Sequence, residues 1–296
     1  EARPLVERAI ARAREAGAVE ETPAMYALLA FLHRRERRPD ESWKAAREGL
    51  RVCRKIERHD ERWQENVTQL LFGVAAALFG RGKMVGAERS YRQASRMIAE
   101  SANPYLAGIA LNGVGAVRYS IGDWRGARAI YRRALRLKER AGDLHQIAVT
   151  SSNLAEVELL LGDVPAALEH GRRSVHLGEQ ARAGSDLADM YRNLAAILLA
   201  AGQLEEALTA GRTALAIAEE RGRIYLGEAA LTLARVCARA ARDSRGLPDD
   251  SPLRARVVEA AGALRASLDA HFSEGDLRRK ADECRGILAQ VAEERG

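Results

Sequence analysis

The sequence predicts an all-α protein, a right-handed superhelical solenoid of antiparallel helix pairs with about six repeats and a C-terminal capping helix. Three observations predict it. Gly82, Gly122, Gly162 and Gly202 stand 40 residues apart. Small residues keep phase with them at Ala87, Ala127, Ala167 and Ala207, and again at Ala94, Ala134, Ser174 and Ala214. Ala, Leu, Arg and Glu dominate the composition and only 5% of residues are aromatic, a mixture that favours helix. A fixed period in a helix-forming composition marks stacked helical repeats.

Each unit explains its own pattern. Apolar residues upstream of the glycine, including Val74, Val114, Leu154 and Leu194, recur at helical spacing and form a first amphipathic helix. The glycine ends that helix, because the residue after a helix often takes positive φ, which costs glycine nothing. Asp123 and Asp163 follow directly and cap a second helix by accepting its free amide hydrogens. Small residues let the two helices approach, and Met97, Leu137, Leu177 and Ile217 fill the groove between them. Pro23 and Pro104 stand where first helices start; Pro165 is in the first turn of a second helix, where a missing N–H costs little. A shift of 41 carries the pattern back to Ala46, Cys53 and Ile56.

In chain order, residues 1–20 read as a partial repeat. The segment ERAIARAREAG (7–17) is like YRRALRLKERAG (131–142), a second helix. With Glu1 at the start, the expectation is a piece of a longer protein carrying more repeats or an effector domain upstream. Repeats are expected at 24–62, 63–103, 104–143, 144–183 and 184–223. A modified repeat at 224–272 is interrupted by the turn-rich RDSRGLPDDSP (242–252), after which Leu253, Val257, Leu264 and Leu268 line one helix. Leu277, Cys284, Leu288 and Val291 line a last helix at 275–295, which caps the open end of the stack. Residues 1–296 thus read as one solenoid domain.

The bulk numbers exclude several classes. Hydrophobic residues at 47% and charged residues at 30% supply a large core and argue against long disorder. No apolar run approaches the roughly 20 residues needed to span a bilayer, and no signal segment opens the chain. A soluble, cytoplasmic protein without a membrane partner is expected. The net charge of +6 and pI near 9.5 raise the question of nucleic acid. Only five of the 47 basic residues are Lys, as GC-rich codon choice would produce, and the arginines are interleaved with Glu and Asp. Nucleic acid is therefore not the expected partner. Cys53, Cys237 and Cys284 are odd in number and far apart, which fits small core residues in a reducing compartment. Asn66-Val67-Thr68 is a chance glycosylation sequon without a secretion signal.

Here a resemblance becomes specific. Residues 151–180, SSNLAEVELLLGDVPAALEHGRRSVHLGEQ, and 192–220, RNLAAILLAAGQLEEALTAGRTALAIAEE, resemble tetratricopeptide repeats. The 40-residue period is similar to that of the kinesin light chain class and of the C-terminal repeat arrays of bacterial signal-transduction ATPases, kinases and regulators. Nearly the whole chain is covered, most sharply from about 70 to 235. Gly171 and Gly211 depart from the pattern, standing where the family has a bulky aromatic, as at Tyr91 and Tyr131. Local packing should change there.

Chemistry-bearing motifs are absent. His33, His59, His145, His170, His176 and His271 include no HExxH and no pair at a ligand spacing of three or four, so no metal is expected. GRGK at 80–83 lacks the phosphate loop's first glycine, which is Ala77 here, and Met84 replaces its Ser or Thr. GVGAVR at 113–118 lacks the third glycine of a dinucleotide loop and follows no strand. Glu205-Glu206 and Asp249-Asp250 read as caps or solvated faces. Neither an enzyme nor a cofactor is expected.

What remains is a surface. The resemblance implies that the first helices of all units share one inner, ligand-binding face. Its candidates are Phe72, Phe79, Asn112, Tyr119, Asn153, Glu156, Leu159, Arg192, Asn193 and Leu199. In similar repeats an asparagine at the place of Asn153 and Asn193 clamps the backbone of a bound peptide; Asn112 misses that place by one, and Gly73 and Gly113 hold the neighbouring rungs. The same asparagines could instead hold the turns of their own repeats, and both readings stay open. The expected function is a protein- or peptide-binding scaffold or sensor array of a bacterial multidomain signalling protein, acting on a partner or on its own effector domain. The alternatives are a stand-alone receptor for a short signalling peptide and an RNA-binding helical repeat.

Overall fold

The computed structural model describes residues 2–36, 38–57, 59–98, 103–221, 225–245, 247–248, 251–272 and 275–293. Side chains at 275 and 290–293 fall outside that description, as do Glu1, Val291's packing and the Asp249-Asp250 pair. Every regular element among the described residues is a helix. After α1 (Ala2–Glu15) come six pairs: α2 (Thr22–Arg35) with α3 (Pro39–Cys53), α4 (Glu61–Gly80) with α5 (Met84–Met97), and α6 (Pro104–Ser120) with α7 (Trp124–Ala141). Then follow α8 (Leu144–Leu160) with α9 (Val164–Gln180), α10 (Asp186–Ala200) with α11 (Leu204–Arg221), and α12 (Leu226–Asp243) with α13 (Pro252–His271). The last is α14 (Gly275–Glu293). The helix α12 runs to Asp243, so the first two residues of the stretch expected as a loop are helical.

The turns follow from the periodic glycines. Gly82, Gly122, Gly162 and Gly202 take φ of +70°, +81°, +82° and +74°. The residue after each donates its N–H five residues back: Lys83 to Leu78, Asp123 to Arg118, Asp163 to Glu158 and Gln203 to Leu198, all at 2.8–2.9 Å. This double return satisfies carbonyls that the helix end leaves open, and its left-handed residue suits glycine. The expected caps form, Asp123 accepting from Gly126 N at 2.9 Å and Asp163 from Ala166 N at 3.2 Å. Asp60 and Asn103 cap α4 and α6 in the same way, through Trp63 N and Leu106 N.

Packing divides the helices into two compact units, Glu1–Asp143 and Leu144–Gly296. Within each, a first helix packs on its partner second helix and on the first helix of the next pair. The in-phase small residues are fully buried, including Ala87, Ala127, Ala167, Ala207, Ala94, Ala134, Ser174 and Ala214. Ser174 keeps its hydroxyl satisfied by donating to Ala148 O at 2.9 Å, which removes the cost of a polar atom in that close contact. In the second unit, Ala281, Cys284 and Leu288 seat α14 chiefly on α12. All three cysteines are buried and free. Burial pushes their thiols up, to about 11 for Cys53, about 12 for Cys237 and about 11 for Cys284, so they are packing groups without thiolate character at neutral pH.

The departures at Gly171 and Gly211 resolve as an exchange of large and small. In the first unit the Tyr91 ring lies on Gly113, where an added Cβ would come within 2.4 Å of it. Tyr131 lies likewise on Gly115, at 2.5 Å. In the second unit the small residue sits on the second helix, and the first helix supplies the bulk. A Cβ on Gly171 would meet Ile197 at 3.1 Å and Leu194 at 3.4 Å, and one on Gly211 would meet Leu233 at 3.0 Å. The helix spacing is kept while the bulky partner changes sides.

Candidate functional site

Because first helices adjoin one another, α2, α4 and α6 form one row in the first unit, and α8, α10 and α12 another in the second. The two rows differ in chemistry.

In the first unit the row is apolar. Phe72, Phe79, Asn112 and Tyr119 are half-buried on α4 and α6. Phe72 is shared with the interior: its ring centroid is 6.4 Å from that of Tyr91, and it packs against two core clusters. Leu28 and Phe31 on α2, 48% and 43% exposed, belong to the same row. The 41-residue shift places them in register with Gln69 and Phe72. That shift was visible in the sequence, but α2 lacks a glycine turn to anchor it.

In the second unit the row is charged. Asn153, Glu156, Leu159, Arg192 and Leu199 are half-buried on α8 and α10. The Arg192 guanidinium, 18% exposed, lies 2.7 Å from Asp189 on its own helix and 3.9 Å from Glu156 on α8. Burial opposes its charge, but Asp189 and Glu156 together outweigh burial and hold it above the usual value, with Glu228 of α12 adding to the pull. Glu228 in turn accepts from Lys280 of α14, and this bond, helped by the fields of Arg192 and Arg235, holds its carboxyl below the usual range. Glu156, Arg192 and Glu228 are 36 residues apart. That spacing is one helical turn short of the repeat, so the row runs diagonally and the 40-residue alignment hid it. Glu228, Asp189 and Lys280 were missed for this reason.

Asn193 requires a correction. It shares a sequence rung with Asn153, yet it is buried, and its Nδ2 donates to Ser152 Oγ at 2.8 Å. The amide ties α10 to α8. The sequence could not separate Arg192 from its neighbour because one residue along a helix turns about 100°. Asn193→Ala is expected to cost about 1–3 kcal/mol by stranding the buried Ser152 hydroxyl. Chemical denaturation measures this, and an unchanged midpoint would return Asn193 to the surface set.

Among the described residues no group of three or more His, Cys, Asp or Glu could hold a metal, and no helix is long and apolar enough to cross a membrane.

Residues 105–180 and 187–221 each match a family model described as tetratricopeptide repeat. No curated protein matches the chain in sequence. Among solved structures, the signal transduction ATPase with numerous domains from Pyrococcus horikoshii, which has a tetratricopeptide repeat sensor, is similar at a TM-score of 0.65 and 16% identity, over 90% of this chain and 40% of that one. BtubC from P. vanneervenii is similar at 0.61 and 20%, over 74% of this chain and 90% of that one. A Rap protein complexed with Competence and Sporulation Factor is similar at 0.59 and 12%, over 94% and 81%. At these identities the likeness concerns the fold. The period, the repeated glycine turns and the helix pairs make the chain an all-α helical-repeat solenoid, and its residues 105–180 and 187–221 are similar to tetratricopeptide repeats.

Proposed function

We propose that this chain is a protein- or peptide-binding scaffold or sensor array of a bacterial multidomain signalling protein, with no catalysis of its own. The observation that supports it most is the pair of first-helix rows, one mainly apolar and the other carrying paired charges among half-buried side chains. The first unit offers an extended apolar strip from Leu28 and Phe31 to Phe79 and Tyr119. The second offers fixed charges held in register by ion pairs at Arg192 and Glu228. An extended peptide or a partner helix can bury apolar side chains on the first, and a charged segment can pair with the second. The likeness to a repeat sensor of a signal transduction ATPase fits this reading. The second reading, a receptor for a short signalling peptide, is favoured by the likeness to a Rap protein complexed with Competence and Sporulation Factor.

The test is capture of partners from native lysate by the chain and by two variants, Phe31→Ser with Phe79→Ser, and Arg192→Ala. Helicity and melting of the three must first agree. A partner lost with either variant assigns it to that row. A partner retained by both would overturn the first-helix rows as the site.

A further inference from the structure

The charge of this chain is divided very unevenly. Residues 1–143 hold 28 basic and 18 acidic residues, a net of +10; residues 144–296 hold 19 and 23, a net of −4. Most of the excess is on two second helices, α7 with seven basic residues to one acidic and α5 with three to one, while α3 carries three of each. Lys44 and Arg47 on α3, Arg89 and Arg96 on α5, and Arg125 and Arg136 on α7 are all exposed, and none forms an ion pair among the described residues. The nearby carboxylates are already engaged. Glu48 is held by Arg14 at 2.6 Å and Arg51 at 2.7 Å; Glu88 is held by Arg92 at 2.9 Å and Arg118 at 2.8 Å.

The second helices of the other unit are built differently. There Arg172 pairs with Glu206 at 2.9 Å, Arg212 with Glu259 at 2.8 Å and Arg256 with Glu205 at 3.4 Å, each from one helix to the next. The same repeat surface therefore neutralises itself in one unit and leaves a positive ridge in the other. The ridge also works against stability. Arg47 and Arg51 are four residues apart on α3, as are Arg136 and Arg140 on α7, and like charges at that spacing each cost a few tenths of a kcal/mol. Arg125 lies in the first turn of α7, a turn without any acidic residue, where the helix dipole disfavours a cation.

We propose that the second-helix face of the first unit, α3, α5 and α7, is a docking surface for an acidic protein segment, distinct from the first-helix row. Charge complementarity selects the partner, since planar guanidinium groups pair bidentately with carboxylates. An acidic segment is favoured over a nucleic-acid strand by the aromatic groups. Binding a strand without sequence preference draws on rings that stack bases. Here the Trp43 ring is already covered, with Arg47 at 4.6 Å and Arg81 at 5.0 Å from its centroid, and Tyr131 is buried, which leaves Trp124 at the start of α7 as a single exposed ring rather than a row of them.

The experiment measures fluorescence anisotropy of a labelled 20-residue Glu/Asp-rich peptide, and of 20-nucleotide RNA and duplex DNA, with the full chain at rising salt. The variant Lys44→Glu, Arg96→Glu, Arg136→Glu is compared with a control of equal charge change on the other unit, Arg239→Glu, Arg242→Glu, Arg279→Glu. All these side chains are exposed, and melting curves verify that both variants fold. The expected result is peptide binding that weakens at least tenfold in the first variant, remains within twofold in the control, and falls with salt. Tighter binding of RNA or DNA than of peptide would overturn the partner class. Equal loss in both variants would reduce the effect to net charge, and no peptide binding by the unaltered chain at low salt would overturn the proposal outright.

Discussion

Gly113→Leu is expected to destabilise the first unit by about 3 kcal/mol, the upper part of the usual range for overpacking a close-packed contact. Three atoms of the Tyr91 ring lie 2.4–2.6 Å from where a Cβ would be built, and a ring held between helices cannot retreat as a flexible chain end can. Gly113→Ala is expected to lose less, about 1–2 kcal/mol, because it brings a single methyl group against the ring where leucine brings three further carbons. Tyr91→Leu should relieve the clash, so the double variant with Gly113→Ala should be more stable than the sum of the two single changes. Urea denaturation of the four proteins closes the cycle. Strict additivity would mean that Tyr91 and Gly113 do not share the contact described here.

Lys138→Ala is expected to cost about 2–5 kcal/mol, the range for truncating a long buried side chain. Lys138 is fully buried near the end of α7, and its stem fills the space facing Gly108, where a Cβ would come within 2.9 Å of Cγ. Burial pushes its ammonium down to about 7, against the pull of the Asp143 carboxylate. The stem fills volume whatever the charge state, but above pH 7 the fold holds the neutral amine while the unfolded chain stays protonated, so the unaltered chain gains stability as pH rises and the loss should be larger at pH 9 than at pH 6. Lys138→Met keeps most of the volume and removes the charge, so its difference from the unaltered chain measures the polar share and its difference from Lys138→Ala the volume share. A Lys138→Ala protein with an unchanged melting temperature would show that this site collapses without cost.

Much of the fold was legible because its signals are local and repeated. A glycine with positive φ, a capping aspartate and an alanine at a helix contact each act within one or two turns of chain. Four units in phase at Gly82, Gly122, Gly162 and Gly202 multiply that evidence. The surface was less legible because it depends on which way each helix faces. Arg192 and Asn193 are adjacent in sequence, yet one is in the charged row and the other is buried against Ser152. The row from Glu156 to Glu228 crosses the repeat diagonally, so no column of a repeat alignment contains it.

By itself the sequence determined the helical class, the pairing of helices, the turn and cap residues, and the lack of any recognisable catalytic motif. These follow from propensity, periodicity and short-range hydrogen bonding, which neighbours in the chain supply. Only the tertiary structure decided which side of each helix contact carries the bulk, Tyr91 on Gly113 or Leu233 on Gly211. It also decided which polar groups tie helices together, as Asn193 does, and which stay half-exposed, as Asn153 does. Those outcomes depend on residues tens of positions apart meeting at a few ångströms, a distance that periodicity alone does not encode.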